Sequence, residues 1–166
     1  MRAMQRKTDE PRNSYSLPRH SYEREKGLFP FKGKGGLLKY MDQMEEYAAH
    51  LEQAAHDFTQ RHNTMLKQYG INLTPHTESK RGYRVPMVRW RNLQDRTMGM
   101  PQFDRVICQV RSEGERRMLY EIEVERCLLN NQAGTVNTTM RRLKTTLESL
   151  EHAEEMLKAG PGLRTV

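Results

Sequence analysis

The 166-residue chain predicts a mainly α protein: two long antiparallel amphipathic helices, a coiled-coil-like helical hairpin, with a small α/β or β-hairpin insert between them. Three observations predict it. Apolar residues recur in alternating steps of three and four over residues 37–69, and again over 119–157. Between these stretches the pattern gives way to alternation, Pro and Gly. Only 63 residues are apolar with glycine included, about 38%, against roughly 45–50% in an ordinary soluble domain. Narrow seams between helices suit that shortage better than a thick core.

Residues 1–26 hold Pro11, Pro18 and several Ser and Arg without apolar periodicity, and read as a basic, disordered or loosely attached arm. Gly27-Leu28-Phe29-Pro30-Phe31-Lys32-Gly33-Lys34-Gly35-Gly36 brackets two aromatics with four glycines and a proline, which reads as a loop anchored by Phe29 and Phe31. The first helix has its seam at Leu37, Met41, Met44, Ala48, Leu51, Ala55, Phe58, His62, Met65 and Tyr69, and Gly70 should end it. It would be roughly 50 Å long.

Tyr83–Leu93 reads as a strand, with Val88 and Trp90 on one face and Arg89 and Arg91 on the other; Pro86 assigns it an edge position or a bulge. Residues 101–111 lean towards a helix through Phe103, Val106, Ile107 and Val110, with a hairpin strand as the alternative. The last helix should start near Glu113 or Glu115, whose carboxylates suit the positive end of the helix dipole. Its seam is Leu119, Ile122, Arg126, Leu129, Ala133, Val136, Met140, Leu143, Leu147, Leu150, Glu154 and Leu157, and Gly160-Pro161-Gly162 stops it. The seam keeps register across Asn130–Thr135, so a continuous helix with a weak point at Gly134 is expected, with a break there as the fallback. Residues 27–160 then form one helical-hairpin domain with a basic insert at 71–112, and 161–166 a tail. Pairing Leu37 near Leu157 sets His62 roughly opposite residues 130–133, where a polar contact could fix register.

The net charge of +7 is unevenly placed. Residues 1–27 carry a balance of +3 and residues 71–111 a balance of +5, while 28–70 are neutral and 112–166 carry −1. Such asymmetry suits a polyanionic partner, although a basic surface also serves solubility alone. No run approaches the ~18 apolar residues of a membrane span, and the polar, basic Met1–Arg12 suggests no secretory leader. Cys108 and Cys127 form no C-x-x-C pair, which favours a reducing, cytoplasmic setting.

No catalytic constellation emerges. Gly33-Lys34-Gly35-Gly36 lacks the Ser or Thr and the preceding strand of a phosphate loop. His50, His56 and His62 are spaced by six, about 120° apart around a helix, which is wrong for a metal. Glu121, Glu123 and Glu125 read as a solvated face beside Arg116, Arg117 and Arg126. Neither an enzyme, a cofactor nor a metal site is expected.

Arg89-Trp90-Arg91 is the most distinctive local feature, and Trp90 is the only tryptophan. In one reading Trp90 plugs the junction between the hairpin and the insert while the arginines face water or pair with helix carboxylates. In the other, Arg89 and Arg91 join Lys80, Arg81, Arg84 and Arg96 in a phosphate-binding patch, since planar guanidinium forks match phosphate oxygens. The two are compatible.

Lys26-Gly27-Leu28-Phe29-Pro30-Phe31-Lys32-Gly33-Lys34-Gly35, with Val88-Arg89-Trp90-Arg91-Asn92 and Met98-Gly99 further on, resembles an uncharacterised family of small proteins encoded in bacterial integrating conjugative elements and related plasmid islands. The resemblance covers residues 26–104, and the final helix by periodicity alone. It carries no catalytic residues and implies a bacterial cytoplasm, mobile DNA and an accessory role. The resulting expectation is a non-enzymatic accessory protein that binds nucleic acid, DNA in preference to RNA, without strong sequence reading. Itself or another conjugative-element protein is a further partner. The alternative is a coiled-coil-type interaction or oligomerisation module without nucleic-acid binding.

Overall fold

The computed structural model describes residues 32–77 and 84–160. The arm at 1–26, the Gly27–Phe31 stretch with Phe29 and Phe31, and the tail at 161–166 lie outside the described residues. The described part is three helices and one two-stranded antiparallel sheet.

Helix α1 spans Gly33–Leu66 and starts four residues sooner than its periodicity predicts, so Gly33–Gly36 is its first turn and not a loop. Local chemistry does not favour this start: there is no side-chain cap and no acidic residue in the first turn. A tertiary contact supports it instead. Lys34 Nζ donates to Glu154 Oε2 at 2.8 Å and lies 3.6 Å from Glu151. The other end tightens into one 3₁₀ turn, Lys67–Tyr69, and Gly70 closes it at φ 70° with its N–H on the Lys67 carbonyl.

Strand β1, Ile71–His76, follows at once, and strand β2 is Met87–Asn92. The sequence pattern did not single out β1, because Pro75 interrupts it. Their register runs from Ile71 opposite Asn92 to His76 opposite Met87. The partner of β2 is therefore β1 and not residues 101–111, which form helix α2, Met100–Gln109. Leu73 turns its amide and carbonyl away from β2, towards Asn63 of α1. Pro75 has the same parity, so its missing N–H removes no ladder bond. Along β2 the expected alternation holds: Val88, Trp90 and Asn92 are buried, and Met87, Arg89 and Arg91 are half-buried on the other face. Pro86 sits just before the strand. Past β2 the chain doubles back, with the Gly99 N–H on the Trp90 carbonyl and the Asn92 N–H on the Thr97 carbonyl, both at 2.9 Å. Gly99 makes this reversal at φ 116° and Pro101 opens α2.

Helix α3 is unbroken from Glu113 to Ala159, through Gly134. Ser112 caps it, its Oγ accepting the Glu115 N–H at 3.4 Å, with Glu113 and Glu115 in the first turn as expected. The start of α1 meets the end of α3 through Lys34 and Glu154, and Tyr69 at the other end donates to Glu115 at 2.8 Å. Between them His62 Nε2 lies 3.5 Å from Glu125 Oε2, not opposite residues 130–133. The facing residues differ from the expected ones by one heptad. Leu157 consequently lies past the start of α1 and is 83% exposed, and Leu150 is 37% exposed.

Three asparagines tie the helices to the backbone of the insert. Asn63 Oδ1 accepts the Leu73 N–H and its Nδ2 donates to the Leu73 carbonyl, at 2.7 and 2.9 Å. Asn130 does the same to Val88, at 2.7 and 2.9 Å. Asn137 accepts from the Arg84 and Val85 N–H groups and donates to the Val85 carbonyl. The Asn63 and Asn130 carboxamides each act as one residue of an extra strand at a sheet edge, and Asn137 does the same for the residues that lead into β2. Asn130 and Asn137 thereby tie α3 to β2 and the residues that lead into it, while Asn63 ties β1 to the helix that precedes it. Beneath the sheet, Phe58, Leu66, Ile71, Leu73, Trp90, Leu119, Ile122 and Ala133 belong to one buried cluster.

Candidate nucleic-acid interface

The site is built around β2. Its inner face is held by Trp90, 1% exposed, whose ring meets Phe103 of α2 at 5.2 Å between centroids. A buried indole N–H needs an acceptor, and Glu123 Oε2 of α3 supplies one at 2.7 Å. Glu123 also pairs with Arg126 at 2.7 Å, the two side chains being 13% and 12% exposed. Arg126 in turn donates to the Val88 carbonyl at 3.0 Å. Desolvation pushes the Glu123 carboxyl up, but hydrogen bonds from Arg126, Trp90 and Cys127 outweigh it and leave it below the ordinary value. The expected solvated acidic face is thus corrected: Glu121 is exposed beside Arg117, Glu123 is drawn inward by Trp90, and Glu125 turns to Arg61 and His62 of α1.

Because the inner face is locked in this way, the outer face is defined by parity. It presents Arg91 opposite Asn72, Arg89 opposite Thr74, and Met87 opposite His76. Arg89 and Arg91 therefore point to one side, about 7 Å apart along the strand. Arg84, exposed, comes within 3.5 Å of Glu45 on α1, a surface pair of little energetic weight. Arg96, also exposed, sits at φ 61° in the turn past β2. That turn is held by Asp95, which accepts from both the N–H and the hydroxyl of Thr97, and these two bonds hold its carboxyl below the ordinary range. Lys80 and Arg81 lie outside the described residues.

Sequence reasoning found Trp90 and the two-faced strand but missed Asn63, Asn130 and Asn137. A signal existed: Asn130 and Asn137 are one heptad apart within a helix, where asparagine has poor propensity and needs another reason to be present. Cys108 and Cys127 are both free and exposed. Among the described residues, no helix is long and apolar enough to cross a membrane, and no three His, Cys, Asp or Glu are grouped to hold a metal ion. Comparison with protein-family models, curated proteins and solved structures finds no match to this chain.

Proposed function

We propose that this is a non-enzymatic accessory protein of a bacterial integrating conjugative element, acting in the cytoplasm and binding nucleic acid, DNA in preference to RNA, through its basic insert. The scaffold in this reading is an antiparallel hairpin of α1 and α3 that carries the sheet on one side. The observation that carries it is the pair Arg89 and Arg91, half-buried on the face of β2 opposite Trp90, within a segment whose charge balance is +5. Contacts to phosphate release counterions, so affinity follows salt steeply. The test is fluorescence anisotropy of labelled duplex DNA over a salt series. Wild-type binding should weaken linearly on a log–log plot, and Arg89→Ala with Arg91→Ala should lower the slope by about two, at ~0.9 per lost phosphate contact. No binding at low salt would end the reading.

The alternative, a protein-interaction or oligomerisation module, is favoured by a different observation. Leu150 and Leu157 continue the seam of α3 yet are exposed. Sedimentation equilibrium decides this case, since a concentration-independent monomer excludes self-association through that seam.

A further inference from the structure

We infer that two copies of this chain pair antiparallel along the exposed face of α3, an interface that rests on the self-association reading above and gives it a partner and a direction. Ten residues of α3 outline that face, and all ten are exposed: Tyr120, Val124, Leu128, Asn131 and Thr135, then Arg142, Thr146, Ser149, Ala153 and Leu157. The first five advance by four, four, three and four, and the second five repeat those steps when read backwards. One heptad, Thr135 to Arg142, joins the halves, so the series stays on one side of the unbroken helix. The residues of α3 that form the core, among them Leu119, Ile122, Leu129 and Ala133, belong to a separate series and stay covered within each copy.

A face with this order is its own complement on reversal. Turned end to end, Tyr120 of one copy meets Leu157 of the other, and Val124 meets Ala153. Leu128 meets Ser149 beside Leu150, Asn131 meets Thr146, and Thr135 meets Arg142. Apolar ends thus face apolar ends, and the polar middles face each other. Parallel pairing would instead set Arg142 against Arg142, a juxtaposition of like charges that the antiparallel arrangement avoids. It would also align the helix dipoles, whereas antiparallel helices place each positive end beside a negative one. The surface is large enough: Tyr120 is 60% exposed, Leu128 53% and Leu157 83%, with Val124 and Leu150 at 38% and 37%. Two copies offer roughly 1,000 Å² of apolar surface from these side chains, and the polar middle brings the interface into the range of about 1,200–2,000 Å² of stable complexes. That middle is cheap to desolvate. Thr135 Oγ1 donates to the Asn131 carbonyl, Thr146 Oγ1 to that of Arg142 and Ser149 Oγ to that of Thr145, at 2.9, 3.0 and 2.9 Å. These hydroxyls leave water with a partner already in place.

The test is sedimentation equilibrium on the full chain, with charges placed on the two halves of the face. A monomer–dimer equilibrium is expected for the wild type. Val124→Glu should raise its dissociation constant about tenfold or more, because it buries a carboxylate in an apolar contact, and adding Ala153→Lys should recover much of that loss. Residues 124 and 153 stand about 44 Å apart along one helix, so recovery can arise only between copies. Circular dichroism checks that the variants keep their helices. A second measurement leaves the ten residues untouched: spin labels at Glu155→Cys, in a Cys108→Ser, Cys127→Ser background, should lie about 50 Å apart in the dimer. A parallel pair would bring them within about 20 Å. Labels that close, indifference of a folded Val124→Glu, or no recovery on adding Ala153→Lys would overturn this interface and leave self-association standing. A monomer at every concentration would overturn both.

Discussion

Trp90 shows how one buried residue recruits others. Its ring fills the space between sheet, α2 and α3, and its N–H draws in Glu123, whose charge requires Arg126. Removing the carboxylate leaves a guanidinium and an indole N–H without their partner, so Glu123→Ala should cost about 2–4 kcal/mol in urea unfolding, below the range for wholly buried pairs because both groups retain some exposure. A loss under about 0.5 kcal/mol would contradict this account. The indole was legible as a plug from its uniqueness and alternation. Glu123 was not, because an acid between two other acids on a helix looks solvated until the opposing surface is known. His62 makes the complementary case. Burial against Phe58 and α3 holds its imidazole below the ordinary 6.5, a larger effect than the attraction of Glu125, with Arg61 adding to the lowering. The unfolded chain then takes up the proton first as pH falls. Stability is fully present above about 6.5 and is lost as pH drops from there through the folded value. Denaturation at pH 7.5 and 5.5 should show this loss in the wild type and a smaller one in His62→Gln; parallel behaviour would contradict the role given to burial.

At the scale of elements, both long helices were readable because 3.6-residue periodicity is a property of the chain alone. Their ends were less so. Gly33–Gly36 has poor helix propensity, and the contacts of Lys34 in that turn are to Glu151 and Glu154, far away in sequence. Within α3 Gly134 has no atom within 4 Å of where a Cβ would stand, so no close packing requires a glycine there. Gly134→Ala should therefore raise stability by about 0.5–1 kcal/mol, read as a higher urea midpoint at unchanged m-value. A lower midpoint would mean that this turn needs its flexibility. β1 was missed because a proline inside six residues argues against a strand. The objection fails here since Pro75 stands at a position whose N–H would face away from β2.

At the scale of the molecule, the buried cluster draws on α1, both strands, α2 and α3, which makes independent melting of these parts costly. The lone tryptophan touches three of these elements, so Trp90 fluorescence and helical circular dichroism should trace one coincident thermal transition. An earlier fluorescence transition would mean that the sheet opens before the helices. The arginine pair of the candidate interface was legible from composition and alternation, whereas the contact of Arg84 with Glu45 and the left-handed backbone at Arg96 were not, because tertiary packing and turn geometry set them. The chain by itself determines its seams, its stops at Gly70 and Gly160 and the two faces of β2, because periodicity and turn chemistry are local. Which heptads of α1 and α3 face each other, which strand partners β2 and which acids are buried are decided only in three dimensions. A repeating seam is satisfied nearly as well one heptad along, and hydrogen bonds between groups distant in sequence remove that degeneracy.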